Sequence, residues 1–404
     1  MDENTIGARL RILRRWRGLT LTELAGLADL SPSFLSMCER GQRMLDRRSH
    51  IAAVASALRV SETDLVGGPH LSADPQQADP HAVIPALRVA LQTNRLKEAA
   101  TDRARPLPEL VREMERVEPL HQACNYVAVG EALPAILDEL HYHVAAPEDE
   151  QAYRQALETL VDACVCATFT AKDLGYNDLA SLAAMRAEEA ATILGNPVQL
   201  GQAAFVRVHT MPRSGSWHRT LTKAEQAAEA LQPHADTQLA TQVLGMLTLS
   251  ASLSAAAVQD GDRAGHWLNE AGSLAGRVPD QPDENWMAFS ATNVGVWRVA
   301  VGVERGASGG SVLQLAQQVH EDKLAGKRGR QAAFYADVGK GLAREPRMRL
   351  DAVRWLRRAE TAAPQWIRNN APVRETVSYL LGHAIATAGG RELRGMAARM
   401  GVPH

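Results

Sequence analysis

Between Ser31 and Arg43 the chain reads Ser-Pro-Ser-Phe-Leu-Ser-Met-Cys-Glu-Arg-Gly-Gln-Arg, a segment of hydroxyls and guanidiniums whose apolar residues recur at helical spacing. Phe34, Leu35 and Cys38 fall on one face, which leaves Pro32, Ser33, Ser36, Met37 and Arg40 on the other. Hydroxyls and cations in that pattern suit a helix laid into a DNA major groove, where side chains meet base edges and phosphates. Serine, methionine and proline offer few of the bidentate contacts that discriminate bases. Arg40 and Arg43, or the shape of the duplex, are therefore expected to carry much of any recognition.

A second group lies far down the chain. Trp286, Phe289, Asn293, Trp297 and Arg298 cluster on one long helix predicted from Trp286 to Val303, with Asn293 four or seven residues from Trp286, Phe289 and Trp297 and so on one face with them. An inward asparagine can clamp a peptide backbone with its amide, and tryptophans supply apolar area. Arg330 and Tyr335, on a following helix pair, could meet an anion or carboxylate. The same spacing also suits plain packing between helices, so a ligand pocket and a structural core are both open on these residues.

Other chemistry is hard to find. There is no glycine-rich phosphate loop, no HExxH and no GxSxG, and the acidic residues are dispersed among arginines, so no catalytic residues and no cofactor are expected. His141 and His143 stand two apart, on different sides of a helix, and no metal is expected there. Cys38, Cys124, Cys164 and Cys166 form no disulfide framework and are read as inert or buried thiols.

The elements that must position these groups are helical. Hydrophobic residues are 46% of the 404 but aromatics only 4%, so alanine and leucine carry the packing. Ile6, Leu10 and Leu13 predict a first helix with Arg9, Arg11, Arg14 and Arg15 on its outer faces. Thr20-Leu21-Thr22-Glu23 is a capping box that starts a second, with Leu24, Ala25 and Ala28 inward. Asp29 tolerates a turn, Ser31 caps a third helix and Pro32 fits its first position. Ile51, Val54, Ala55 and Leu58 mark a fourth, and Ser61 through Leu65 a fifth.

The stretch LTLTELAGLADLSPSFLSMCERGQR resembles the XRE/Cro-type helix-turn-helix, with Leu24-Ala25, Ser31, Leu35-Ser36 and Glu39-Arg40-Gly41 at the family's positions. That resemblance implies a five-helix, lambda-repressor-like DNA-binding domain over residues 1–66. Its reading residues would be Ser31, Pro32, Ser33, Ser36 and Met37, with Arg40, Gln42 and Arg43 near phosphates and Thr20 and Thr22 completing the DNA-facing set. Leu21 departs from the family's frequent glutamine, which removes one backbone contact, and Asp29 stands where glycine is frequent.

Residues 67–80, rich in glycine, proline and polar residues, read as a linker. From 81 to 404 come amphipathic blocks in pairs: Tyr176 to Leu194 with Pro197 to His209, Gln238 to Val258 with Asp262 to Leu274, Trp286 to Val303 with Val312 to Asp322, and Gln331 to Leu342 with Met348 to Thr361. Small residues precede large ones in several, as in Ala264, Trp267-Leu268 and Ala271, and the pairs resemble tetratricopeptide repeats with spacing that varies around 40. With NVGVWRVAVGVERG (Asn293 to Gly306), GRQAAFYADVGKGLA and NNAPVRETVSYLL beyond the head, the chain resembles actinobacterial XRE-family regulators with a TPR-like C-terminal sensor domain.

The expected class is thus all-α, an N-terminal helix-turn-helix followed by a TPR-like α-solenoid for sensing and dimerisation. The implied partners are double-stranded DNA, read as an inverted repeat by a homodimer, and a small-molecule or peptide effector. The alternative is a protein-interaction adaptor with an accessory head. Ten arginines against eight acids in residues 1–65 make the head mildly basic within a chain of net charge -2. No run is read as a membrane span and no signal peptide is read at the N-terminus, so a cytoplasmic, nucleoid-associated protein is expected.

Overall fold

The computed structural model of the protein describes residues 5–68, 75–211, 217–281, 285–383 and 389–402. Among these residues regular structure is helical throughout, apart from one isolated bridge between Arg95 and Glu98. The fold is all-α.

Five short helices make the N-terminal unit: α1 (Ile6–Trp16), α2 (Leu21–Ala28), α3 (Pro32–Glu39), α4 (Arg48–Leu58) and α5 (Glu62–Val66). Their core is Leu10, Leu24, Leu35, Cys38, Val54, Leu58 and Leu65, all fully buried. Gly7 lets α1 approach α3, because a Cβ there would stand 2.1 Å from the Cys38 carbonyl oxygen. The stretch read as a linker is helical from Pro75 onward, in α6 (Pro75–Ala82); residues 69–74 lie outside the described ones.

Helices α7 (Ile84–Thr93), α8 (Leu107–Gln122) and α9 (Tyr126–Ala145) begin the body. Short connections then fold successive helices back on one another: α10 (Glu150–Asp173) on α11 (Asn177–Leu194), α12 (Pro197–Thr210) on α13 (Trp217–Leu231), α14 (Gln238–Ala257) on α15 (Gly261–Ala275), α16 (Ala291–Glu304) on α17 (Gly310–Ala316), and α18 (Arg328–Ala343) on α19 (Arg349–Ala362). The first member of each pair also packs on the first member of the next, so α10, α12, α14, α16 and α18 form an inner row with α8 at its start. Helices α11, α13, α15, α17 and α19 form the outer layer. The inner row curls far enough that Gly329 on α18 comes within 3.5 Å of the Cys124 sulfur at the end of α8, counted from the position a Cβ would take. The short α20 (Pro364–Asn369) and then α21 (Ala371–Gly382) and α22 (Gly389–Arg399) close the chain.

Helix α14 is long and apolar enough to cross a membrane by length and composition, which corrects the expectation that no run would be. It is buried almost end to end, as a helix apolar on all sides is when it serves as a core. A second correction concerns the long helix expected from Trp286. The chain makes only a short 3-10 turn there (Trp286–Ala288), Met287 and Ala288 take positive φ (50° and 59°), and α16 begins after Ser290, whose hydroxyl accepts the Asn293 N–H at 3.2 Å. The α14 side chain of Gln242 holds this turn by accepting the Trp286 N–H at 2.9 Å and donating to Asn285 at 2.7 Å. Gly245, also on α14, leaves room for the Phe289 ring, which a Cβ would meet at 2.0 Å.

Candidate nucleic-acid interface

The turn between α2 and α3 is built by local hydrogen bonds. Thr20 Oγ1 accepts the Glu23 N–H at 3.2 Å, and Glu23 accepts the Thr20 N–H at 2.7 Å, so the capping box is complete. Asp29 ends α2 in the left-handed region, φ 52°, the conformation glycine adopts at such a corner without strain. Ser31 accepts the Phe34 N–H at 3.2 Å, and Pro32 opens α3 where no N–H is required. The backbone N–H groups of Gln42 and Arg43 then return to the Met37 carbonyl, at 2.8 and 3.3 Å.

This local order leaves one side of the head facing solvent. Thr20, Thr22, Ser31, Pro32, Ser33, Arg40, Gln42 and Arg43 are exposed, and Ser36 and Met37 half-buried between them. The hydroxyls are partly engaged: Thr20 also donates to Glu23 at 2.7 Å, and Ser31 and Ser33 lie 3.2 Å apart. Arg40 bonds the Ser36 carbonyl through Nε at 3.2 Å, which aligns its guanidinium along α3.

Two of the arginines expected on the outer faces of α1, Arg9 and Arg14, are used differently. Arg14 grips Glu39 through Nε at 2.5 Å and a second nitrogen at 2.9 Å, and reaches the Leu19 carbonyl at 2.8 Å. The carboxylate holds that guanidinium above its ordinary pKa. Arg9 donates to the Val66 carbonyl at 2.5 Å, and Arg17, on the cap, to the Leu58 and Arg59 carbonyls, both at 2.7 Å. These cations tie the ends of α3, α4 and α5 to α1, while Arg15 stays exposed.

The opposite side of the head is held by the body, which nothing in the sequence pattern announces. Arg47, the N-cap of α4, makes no side-chain cap bond. The α16 carboxylate of Glu304 takes that role from 255 residues away, accepting the Ser49 N–H at 2.9 Å, the Ser49 hydroxyl at 2.7 Å and the Arg48 N–H at 3.2 Å. Burial opposes its charge, but Arg48 and these donors hold its carboxyl below the ordinary value. Glu375 on α21 likewise accepts the Ile6 N–H at the start of α1, at 3.1 Å. Here burial wins and pushes the carboxyl up to about 7, with Asp46 adding to the shift while Arg9 and the Ile6 and Leu45 N–H groups oppose it. Asp46 pairs with Arg344 at 2.8 Å, and Met44 is buried in the core formed by α16 to α22.

The residues singled out for an effector separate into two places. Trp286, Asn293, Trp297 and Arg330 come together on the inner row: the Arg330 guanidinium lies 5.8 Å from the Trp297 ring centre, and Asn293 donates to the Met287 carbonyl at 3.3 Å. Arg298 and Tyr335 do not join them. Arg298 bonds Gln318 at 3.3 Å on the exposed side, and Tyr335 bonds Glu321 at 3.0 Å under the Arg358 guanidinium, which stacks on it at 4.0 Å. Four residues missed in the sequence complete the inner group, namely His121, Phe169, Phe205 and His209. They come from three other helices, beyond the reach of any spacing rule. His141 and His143 diverge, one bonding the Leu137 carbonyl and the other the Arg105 carbonyl, both at 2.7 Å.

No curated protein and no solved structure matches the chain. Residues 5–66 match the family model of a helix-turn-helix domain, so the five-helix head is a helix-turn-helix domain, the class that supports DNA binding.

Proposed function

We propose that this protein is a sequence-specific transcriptional regulator of the XRE type that binds an inverted repeat as a homodimer. The observation that carries the proposal is the division of the head's surface: the body holds α1, the 44–49 loop and α4, while the surface from Thr20 to Arg43 faces solvent. A head carried in this way presents its third helix to a major groove in a fixed orientation. Two heads about 34 Å apart would read successive grooves. The two-layered body supports a tetratricopeptide-like reading, with a sensing site on its inner row for a small molecule or peptide that favours one spacing of the heads. No reaction is assigned to the chain, and its place is with the nucleoid in the cytoplasm.

Selection of bound sequences from random duplexes, followed by footprinting of the full chain at fixed salt, tests this. Protection of two half-sites separated by one helical turn is the expected result. Protection without sequence preference, or none, overturns it.

A further inference from the structure

The inner row surrounds a contiguous set of rings. Phe169 on α10 neighbours Phe205 and His209 on α12 at 5.9 and 5.7 Å between ring centres, Phe205 neighbours Trp286 at 5.3 Å, and His209 neighbours Trp297 at 6.1 Å. His121 on α8 stands 6.2 Å from Phe169. Within this set three polar atoms are buried without a hydrogen-bond partner: Trp297 Nε1, Asn293 Oδ1 and His121 Nε2. Trp297 is 6% exposed and Asn293 fully buried, so the unmet bonding capacity is deep in the protein. Buried polar groups nearly always find partners, and the polar atoms of a guest would serve these three.

Arg330 sets the charge of that guest. Among the described residues it has no carboxylate within ion-pair distance; the Trp297 ring lies 5.8 Å from its guanidinium, and Asp173 and Cys124 act on it from further away. Desolvation lowers its pKa to about 10, so the guanidinium stays charged at neutral pH in poorly hydrated surroundings. The carboxyl most felt by it, Asp173, accepts the Tyr126 hydroxyl at 3.0 Å and is itself pushed up to about 6 by burial. Lys327 is buried nearby, and both it and Arg330 help to hold His121 neutral, down to about 4 after burial. Asp162, the preceding acid on α10, is about 16 Å from Asp173 along that helix at 1.5 Å per residue and accepts the Gln202 amide instead. A water molecule could satisfy the indole N–H, but it brings no countercharge.

We infer that the inner-row cluster of Phe169, Phe205, His209, Trp297, Asn293 and Arg330 binds a flat apolar molecule carrying one carboxylate, its ring among the aromatic side chains and its anion on Arg330. This deepens the sensing role proposed above and rests on it for its biological use, though not for the binding itself. The apolar walls supply area, and Arg330 offers two parallel N–H donors to a planar anion.

The test uses calorimetry on the full chain with two probes of one shape, naphthalene-1-acetate and the neutral naphthalene-1-acetamide. The carboxylate is expected to bind about tenfold more tightly than the amide, the ratio typical of losing one charge-assisted contact. Arg330→Met should erase the preference while retaining amide binding. Trp297→Phe keeps the ring, removes the indole donor and should weaken the carboxylate several-fold, which covers the case in which the Arg330 variant fails to fold. Arg354→Ala, exposed on the outer-layer helix α19, should leave both affinities alone. Equal affinity for the two probes, an unchanged preference in Arg330→Met, or binding of neither at millimolar concentration overturns the inference. Gel shifts with and without naphthalene-1-acetate separate the two proposals: a preference for the carboxylate with unaltered DNA affinity supports the site and removes its sensing role, whereas specific footprints without probe binding leave the regulator and remove the site.

Discussion

Replacing Glu304 with alanine should loosen the head from the body without unfolding either. The carboxylate is 2% exposed and accepts three bonds from Arg48 and Ser49, doing for α4 what an N-cap side chain ordinarily does. Loss of a cap costs roughly 0.5 to 2 kcal/mol. Stranding a buried charge would cost roughly 3 to 5 kcal/mol, but Arg48 is partly exposed and keeps Asp337 at 4.0 Å, so that larger penalty does not apply in full. A net loss of about 2 kcal/mol follows, or about 30-fold in a local opening equilibrium. Hydrogen exchange followed by mass spectrometry reads this directly. Amides from residue 44 to the first turn of α4 should exchange about 30-fold faster, while those of α11 and α14 keep their wild-type rates. Glu304→Gln, which retains an acceptor for Ser49, should lose about half as much in free energy. Unchanged exchange at α4, or uniform acceleration across the chain, would refute the idea that this carboxylate caps the head.

Three further outcomes are expected. Glu375 has its carboxyl raised from the usual 4.5 to about 7, so its contribution is fully present below the unfolded value and is lost as pH rises through 7; melting at pH 5 and pH 8 should show a pH dependence, bounded at roughly 3 kcal/mol, that Glu375→Gln flattens. Arg40→Ala should weaken binding to all DNA sequences alike and lower the salt slope by about one, and an unchanged gel-shift affinity at fixed salt would count against a phosphate contact. Gly7→Ala forces a Cβ to within 2.1 Å of the Cys38 carbonyl oxygen and should cost at least about 1 to 3 kcal/mol, so an unaltered Tm would contradict the packing of α1 on α3.

How far the sequence discloses this molecule depends on the range of each interaction. The capping box at Thr20 and Glu23, the Ser31 cap, the proline at the first position of α3 and the turn at Asp29 are all local, and each was legible from neighbouring residues. The break before α16 was also local yet was misread, because Trp286, Phe289 and Asn293 mimic helical spacing; Ser290, a residue suited to an N-cap, was the available signal. Asp46 with Arg344, and Ser49 with Glu304, are separated by 298 and 255 residues, and neither partner stands out by type or periodicity. The same holds for the inner-row rings. Phe169 and Phe205 drew no reading from the sequence, and only the packing of α8 to α18 brings them beside Trp286 and His209.

The trans caps have a consequence in time. Translation completes the head's own 66 residues early, but the carboxylates that close α4 and α1 arrive only with residues 304 and 375. At about 5 to 20 residues per second, the interval between the end of α5 and Glu375 is roughly 15 to 60 s. For that period the Arg48 and Ser49 amides at the start of α4 and the Ile6 amide at the start of α1 have only water to serve them, while Thr5 already caps the Ala8 amide. Its final orientation is settled when synthesis is nearly over, so a chain halted before α21 would carry all the residues proposed to touch DNA but not the frame that aims them.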